Sequence, residues 1–311
     1  MTVNPFGLDI AYMRDQTLLY AAAHAILQEC VNAATPSLPV LLLKSNYQKP
    51  QFADLIFALG PRLYAVLFDP LDANGKSALA EETCQTLRDA ALQYNAIACR
   101  MPFRRTKVED AAQAPATAVR YEPVLPGWDL CELDGEKEVE PIFQPDEPPV
   151  ALSDWEANVY AVGHALQWLT EHRCGEVRSV CLEPGVIPQL WFHDITGGDS
   201  WMIVRLDDEE VDPAALLQEH PNLDGHDGYL CQVLLPPFPE TRRGAFPALE
   251  IAPPRKIFAG TDGTLDGEHA AALGDPPPQA PEDAPEQEVS GKGCLLYIVG
   301  GLLAALAGWL A

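Results

Sequence analysis

The sequence predicts an α/β (α+β) chain: two tandem copies of an α-β-β-β-α-β module followed by a C-terminal transmembrane helix. Three observations predict it. A short motif recurs about 140 residues later, the same order of helix and strand periodicities surrounds both occurrences, and the last stretch of the chain carries no charge.

The recurrence is Tyr20-Ala-Ala-Ala-His24-Ala, which returns as Tyr160-Ala-Val-Gly-His164-Ala. Pro50-Gln51-Phe52 then matches Pro188-Gln189-Leu190, and Gly60 matches Gly198. Tyr64-Ala-Val-Leu aligns with Trp201-Met-Ile-Val, and Pro102-Phe103 with Pro237-Phe238. Like features in one order, with offsets that drift by a few residues, read as an internal duplication.

In the first copy, 18–31 is apolar at helical spacing, 38–43 is a short buried strand, and 63–68 is another apolar run. The run 52–59 fits a strand, although Phe52, Leu55, Ile56 and Leu59 also fit a helical stripe. A helix over 76–94 and a strand over 97–101 complete the unit. The second copy repeats the order: a helix over 155–170 capped by Ser153 or Asp154, strands over 177–182, 189–193 and 201–206, a short helix over 212–219 and a strand over 229–235. Gly60-Pro61 and Gly197-Gly198 read as hairpin turns.

Two acidic, proline-rich stretches separate these units from each other and from the tail. Residues 106–150 carry Glu132, Asp134, Glu136, Glu138 and Glu140 among prolines, and read as a linker or extended arm with Trp128 and Phe143 as its large anchors. Residues 261–291, with Pro276-Pro277-Pro278, read as a disordered spacer. The domain plan is therefore a first module over 1–105, the linker 106–150, a second module over 151–260, the spacer 261–291 and an anchor over 292–311.

The anchor rests on solvation. Residues 294–311 are uncharged, and as a helix they would cover about 27 Å, close to the roughly 30 Å of a bilayer's hydrocarbon. Cys294, Leu295, Leu296, Tyr297, Ile298, Val299, Leu302, Leu303, Leu306, Trp309 and Leu310 would face lipid. Gly301 with Ala305, and Ala304 with Gly308, form small-xxx-small pairs that would let a second copy approach, so a homo-oligomer through the anchor is one expectation. Residues 1–15 lack the basic and then apolar regions of a secretory signal, and Lys292 precedes the anchor. The expected placement is a single-pass membrane protein with cytoplasmic soluble domains.

Charge narrows the partners. With 20 Lys and Arg against 45 Asp and Glu, the net charge of -25 opposes a phosphate backbone, so no nucleic acid is expected and a basic protein partner fits better. Eight scattered cysteines without a CxxC pair read as reduced thiols. Arg242-Arg243 and Arg255-Lys256, the most basic stretch, read as a contact with lipid headgroups.

No constellation predicts catalysis. The α-β-β-β-α-β order resembles the restriction-endonuclease-like core, whose strands hold a divalent metal on an acid and a Glu-x-Lys pair. That resemblance would make Glu183, Asp194 and Arg205 the residues to test, yet Trp201-Met-Ile-Val-Arg205 lacks the carboxylate and lysine. His24 and His164 each share a helical face with Tyr20 and Tyr160, a pair better explained by packing against a sheet than by base catalysis. His220, His226 and Cys231 have no zinc spacing, and GxSxG, GxGxxG and GxxxxGK[ST] are missing. No cofactor or metal is expected.

The expectation is thus a tail-anchored, non-enzymatic protein-binding protein, an adaptor or immunity type suited to a bacterial secretion or toxin system. The alternatives are a degenerate nuclease-like, metal-dependent hydrolase and an oligomeric structural membrane component.

Overall fold

In the computed structural model, the residues described are 10–33, 40–44, 52–107, 119–144, 146–172, 174–194, 198–208, 210–244, 250–251 and 253–260. They form a mixed α+β fold with two sheets and four α-helices. Two compact units divide the chain, Met1–Val150 with Arg243–Ala245, and Ala151–Arg242 with Phe246–Ala311. The expected anchor, residues 294–311, and the match at Gln51 lie outside the described residues. Among those described, no helix is long and apolar enough to cross a membrane.

The first unit runs α1 (Ile10–Ala33), β1 (Val40–Lys44), β2 (Leu55–Leu59), β3 (Arg62–Leu71), α2 (Glu81–Gln93), β4 (Ala96–Lys107), β5 (Val119–Pro123) and β6 (Cys131–Glu132). Its sheet has the order β1-β2-β3-β4-β5, with β6 also on β4. The β3–β4 pair is parallel because α2 forms the crossover between them, and the other pairs are antiparallel. Leu55–Leu59 is strand and wholly buried, which resolves the ambiguous run; the helical stripe loses because the strand is covered on both faces. Leu59 faces Arg62 across a two-residue turn in which Gly60 takes φ +57° and Pro61 has its φ fixed near -65°. A positive first angle and a negative second define the II′ turn that suits a twisted hairpin.

The second unit runs α3 (Asp154–Glu171), β7 (Gly175–Val180), β8 (Leu190–Asp194), β9 (Asp199–Arg205), α4 (Pro213–Glu219), a 3₁₀ turn at Pro221–Leu223, β10 (Asp227–Leu234), β11 (Glu250–Ile251) and β12 (Arg255–Phe258). Its sheet order is β11-β10-β9-β8-β7, with β12 also on β10. Only β9–β10 is parallel. Helix α3 starts at a capping box: Ser153 Oγ accepts from Glu156 N at 3.3 Å, and Glu156 accepts from Ser153 N at 3.0 Å, which settles the cap on Ser153. Asp212 caps α4 ahead of Pro213 at its first position.

Three expectations change. The helix expected from Lys76 begins at Glu81, because residues 72–78 are held in a loop by Asp72 and Asp69, whose carboxylates take the N–H groups of Asn74, Lys76 and Ala78. The stretch 106–150 is more than a linker, since β5 and β6 come from it and pair with β4. Its Trp128 is buried and stacks on Phe57 at 5.7 Å, while Phe143 lies over Gly60 so closely that a Cβ there would stand 2.8 Å from the ring. Each unit therefore exceeds α-β-β-β-α-β by two short strands.

Hydrogen bonds at the strand starts also relate the two units. Asp54 N donates to Val66 O, and Asp54 Oδ2 accepts from Phe68 N at 2.8 Å. In the second unit Gln189 N donates to Met202 O, and Gln189 Oε1 accepts from Val204 N at 2.9 Å. Gln189 and Asp54 thus make like hydrogen bonds at the start of β8 and β2, and Gly60 and Gly198 each lie between the second and third strand of their sheets.

Candidate functional site

Strand alternation gives the second sheet two faces. On one, Leu190, Phe192, Met202, Val204, Tyr229, Cys231 and Val233 are buried, and α3 packs on β7, β9 and β10. On the other, Trp201, Ile203 and Leu230 join Leu216, Leu223, Ile257 and Phe258 in a core cluster, with Trp201 Nε1 donating to Leu223 O at 3.1 Å. The cluster ends at Trp191, which is only partly buried against it. Beyond Trp191 this face opens into a depression of about 480 Å³ lined by Arg178, Ser179, Trp191, His193 and Asp199.

Three strands build that depression. Trp191 and His193 alternate on β8 and so project to one side; Ser179 faces Trp191 from β7, and Asp199 faces His193 from β9. A bulge skips Arg178 between Val177 and Ser179, which turns this residue toward the same side. His193 Nδ1 meets Asp199 Oδ1 at 2.8 Å, which leaves Nε2 for other contacts. His226 stands edge-on to Trp191 at 5.4 Å. Arg178 is held only loosely, by Glu176 at 3.4 Å.

Asp194 holds the hairpin that aligns this pair. Its N–H donates to Gly198 O at 2.9 Å, Oδ1 accepts from Gly198 N at 3.1 Å and Oδ2 from Ser200 Oγ at 3.1 Å. A carboxylate used as a turn clamp is poorly placed to hold a metal. Arg205 forms an ion pair with Asp207 at 3.1 Å, and Glu183 sits in the turn closed by Val186 N. Among the described residues no group of three His, Cys, Asp or Glu side chains is arranged for a metal ion, so neither Glu183 with Asp194 nor His220 with His226 and Cys231 forms one. Burial pushes the Cys231 thiol up to about 12, which keeps it protonated and unsuited to metal ligation.

The expected His–Tyr pairs are half-buried packing groups. Tyr20 and His24 have ring centroids 6.1 Å apart, and burial lowers the pKa of both His24 and His164. Tyr160 is 3% exposed, inside the face of α3. Of the basic stretch, Arg243 belongs to the first unit and is 4% exposed, its guanidinium donating to Tyr94 O at 2.7 Å and Asn95 O at 2.8 Å at the carbonyl end of α2. Lys256 is paired with Asp227 at 2.7 Å. Two of the four cations expected at lipid headgroups are thus spent inside the fold.

A second hollow, about 270 Å³, lies in the first unit between Arg62, Asn95, Ile97, Glu147 and Arg243. Arg62 donates to Glu147 Oε1 through Nε at 2.9 Å and Nη2 at 2.7 Å. The pair fastens Glu147 to the β2–β3 hairpin and leaves Glu147 Oε2 buried without a partner, while Arg243 N donates to Val150 O at 2.8 Å. A deeper ionic centre of this unit is Asp69, fully buried, which accepts from Arg100 at 2.7 Å, Ser77 Oγ at 3.0 Å and Ala78 N at 3.2 Å.

Sequence reading missed Arg178, Trp191, His193 and Asp199. The signal was the alternation Trp-x-His on a strand whose counterpart by register in the first sheet carries Ile56 and Ala58. Compared with protein-family models, curated proteins and solved structures, the chain matches none of them.

Proposed function

We propose that this chain is a tail-anchored, non-enzymatic protein-binding protein, with two related modules arisen by duplication and held at the cytoplasmic face of a membrane by residues 292–311. The observation that carries the reading is the free edge of the second sheet. Among the described residues β7 is paired on one side only, and Glu176, Arg178 and Ser179 along it are exposed. An edge of six residues can take an extended segment of a partner as an added strand, with main-chain hydrogen bonds supplying affinity. The same edge position in the first sheet is held by β1, so two related edges are offered by one chain. Tethering raises the effective concentration of such edges for anything at the same surface. The excess of carboxylates favours a basic partner, as in an adaptor or immunity protein of a bacterial secretion or toxin system.

Proline scanning of the edge tests this. Cys181 N donates inward to Gln189 O at 2.7 Å, so alternation turns the Val180 N–H outward. Val180→Pro removes that donor and leaves the inner ladder intact. Full-length protein in mild detergent should retain one stoichiometric partner, and Val180→Pro should lose it without a change in melting temperature. A partner-free preparation, or equal retention by Val180→Pro, overturns the reading.

A further inference from the structure

The depression beside Trp191 has a chemistry that docking along the β7 edge does not use. Its lining is rich in donors. Arg178 presents a guanidinium tied to Glu176 through a single 3.4 Å contact, Ser179 an exposed hydroxyl, and His193 its Nε2. The one carboxylate of the lining, Asp199, is already met by His193 Nδ1 at 2.8 Å. A carboxylate behind an imidazole fixes its orientation. Between these donors lies the indole of Trp191, backed by the Trp201, Leu216 and Leu223 cluster and set by the His226 edge contact. A flat apolar floor with convergent donors, in a hollow of about 480 Å³, is the form of a small-molecule site.

We propose that this depression binds a planar anion: a flat ring lies on Trp191, and its carboxylate or phosphate is held by Arg178 and Ser179 beside His193. The corresponding side of the first sheet offers no such surface, because Ile56 and Ala58 stand at the register positions of Trp191 and His193 and are fully buried. The site therefore belongs to the second unit alone, and it stands or falls independently of a protein partner.

Calorimetry on the full-length protein in neutral detergent tests this with three probes. Indole-3-acetate and adenosine monophosphate carry the carboxylate and the phosphate on a flat ring, and tryptamine is the cationic counterpart of the first. Either anion should saturate at about millimolar or lower concentration and weaken about tenfold in Arg178→Gln. Glu176→Gln should tighten it, by releasing the guanidinium. Arg178 and Glu176 are exposed, so these variants keep the fold, checked by an unchanged melting temperature. Saturation by indole-3-acetate alone assigns a carboxylate ligand, and by the nucleotide alone a phosphate ligand. Failure of both anions, or tryptamine binding as tightly as they do, overturns the proposal.

Discussion

At one register position of the parallel strand pair, the first unit sets Ala65 opposite Ala98 and the second sets Trp201 opposite Gly228. The backbones are alike and the filling differs. In the second unit a Cβ on Gly228 would fall 2.2 Å from the Trp201 ring, so the large side chain on one strand requires none on its neighbour. Two small residues, Ala65 and Ala98, meet at that position in the first unit. One strand arrangement thus accommodates side-chain pairs of different summed volume, the neighbouring elements filling the rest of the space. The contrast continues toward the sheet edge, where buried Ile56 and Ala58 correspond to Trp191 and His193, and at the C-terminal end of the third strand, where fully buried Asp69 corresponds to the half-exposed, paired Arg205. The first unit has closed its polar end around an internal ion pair. The second has left polar groups facing water.

The largest difference between the units should appear on removing matched charges. Arg100→Met leaves Asp69 buried without its cation and should cost about 3–5 kcal/mol, whereas Arg205→Met breaks a solvent-exposed pair and should cost less than about 1 kcal/mol. Urea unfolding, with hydrogen exchange to say which sheet loosens, measures both. Comparable losses would mean that Asp69 is not the closed centre described here.

Volume exchange comes next. Gly228→Ala drives a methyl into the Trp201 indole and should destabilise by about 1–3 kcal/mol or more. Ala98→Gly, the matching change in the first unit, should cost only about 0.5–1 kcal/mol of chain entropy. The double variant Gly228→Ala with Trp201→Phe should recover part of the loss in the thermal midpoint, since a smaller ring yields space.

A shared device sharpens the comparison from the other side. Asp54→Ala and Gln189→Ala each strip the acceptor from a strand N–H, on Phe68 and Val204, and should cost about 1–3 kcal/mol apiece. Unequal losses, with one near zero, would undo the correspondence that the register gives.

The smallest effect is one of pH and belongs to the first unit only. Asp129 is 1% exposed, takes a positive φ of 51°, accepts from Val124 N at 3.0 Å and Leu125 N at 2.6 Å through Oδ1, and leaves Oδ2 buried with no partner. Burial pushes its carboxyl up to about 7, despite those two donors. The folded state then binds the proton more tightly than the unfolded chain, so this group favours folding below the ordinary carboxylate range and loses that contribution as pH rises toward 7. Asp129→Asn, which tolerates the left-handed backbone, should be neutral near pH 4 and raise stability by about 1 kcal/mol or more at pH 8. A pH-independent difference between the two proteins would refute the assignment.

Much of this was visible in the residues themselves. Apolar spacing near 3.6 and near 2 is a local property, and it placed the four helices and eight of the strands, although α1 begins at Ile10 rather than near 18 and α2 at Glu81 rather than Lys76; Ser153 was one of two caps it offered for α3. Strand pairing is different, because the partner of Asp54 or Gln189 lies more than a dozen residues away and no local pattern encodes it. The same distance hid β5 and β6 inside an acidic, proline-rich stretch, where short strands gain their stability from β4 rather than from their own composition.

The sequence by itself determined the order of the four helices and eight of the strands, the excess of carboxylates and the uncharged stretch 294–311, since each follows from composition and periodicity. Only the tertiary structure decided that Asp69 is enclosed, that Asp194 clamps a turn, and that Arg178, Trp191, His193 and Asp199 meet on three strands. Residues far apart along the chain become neighbours through register, and register is fixed by the packing of both faces at once.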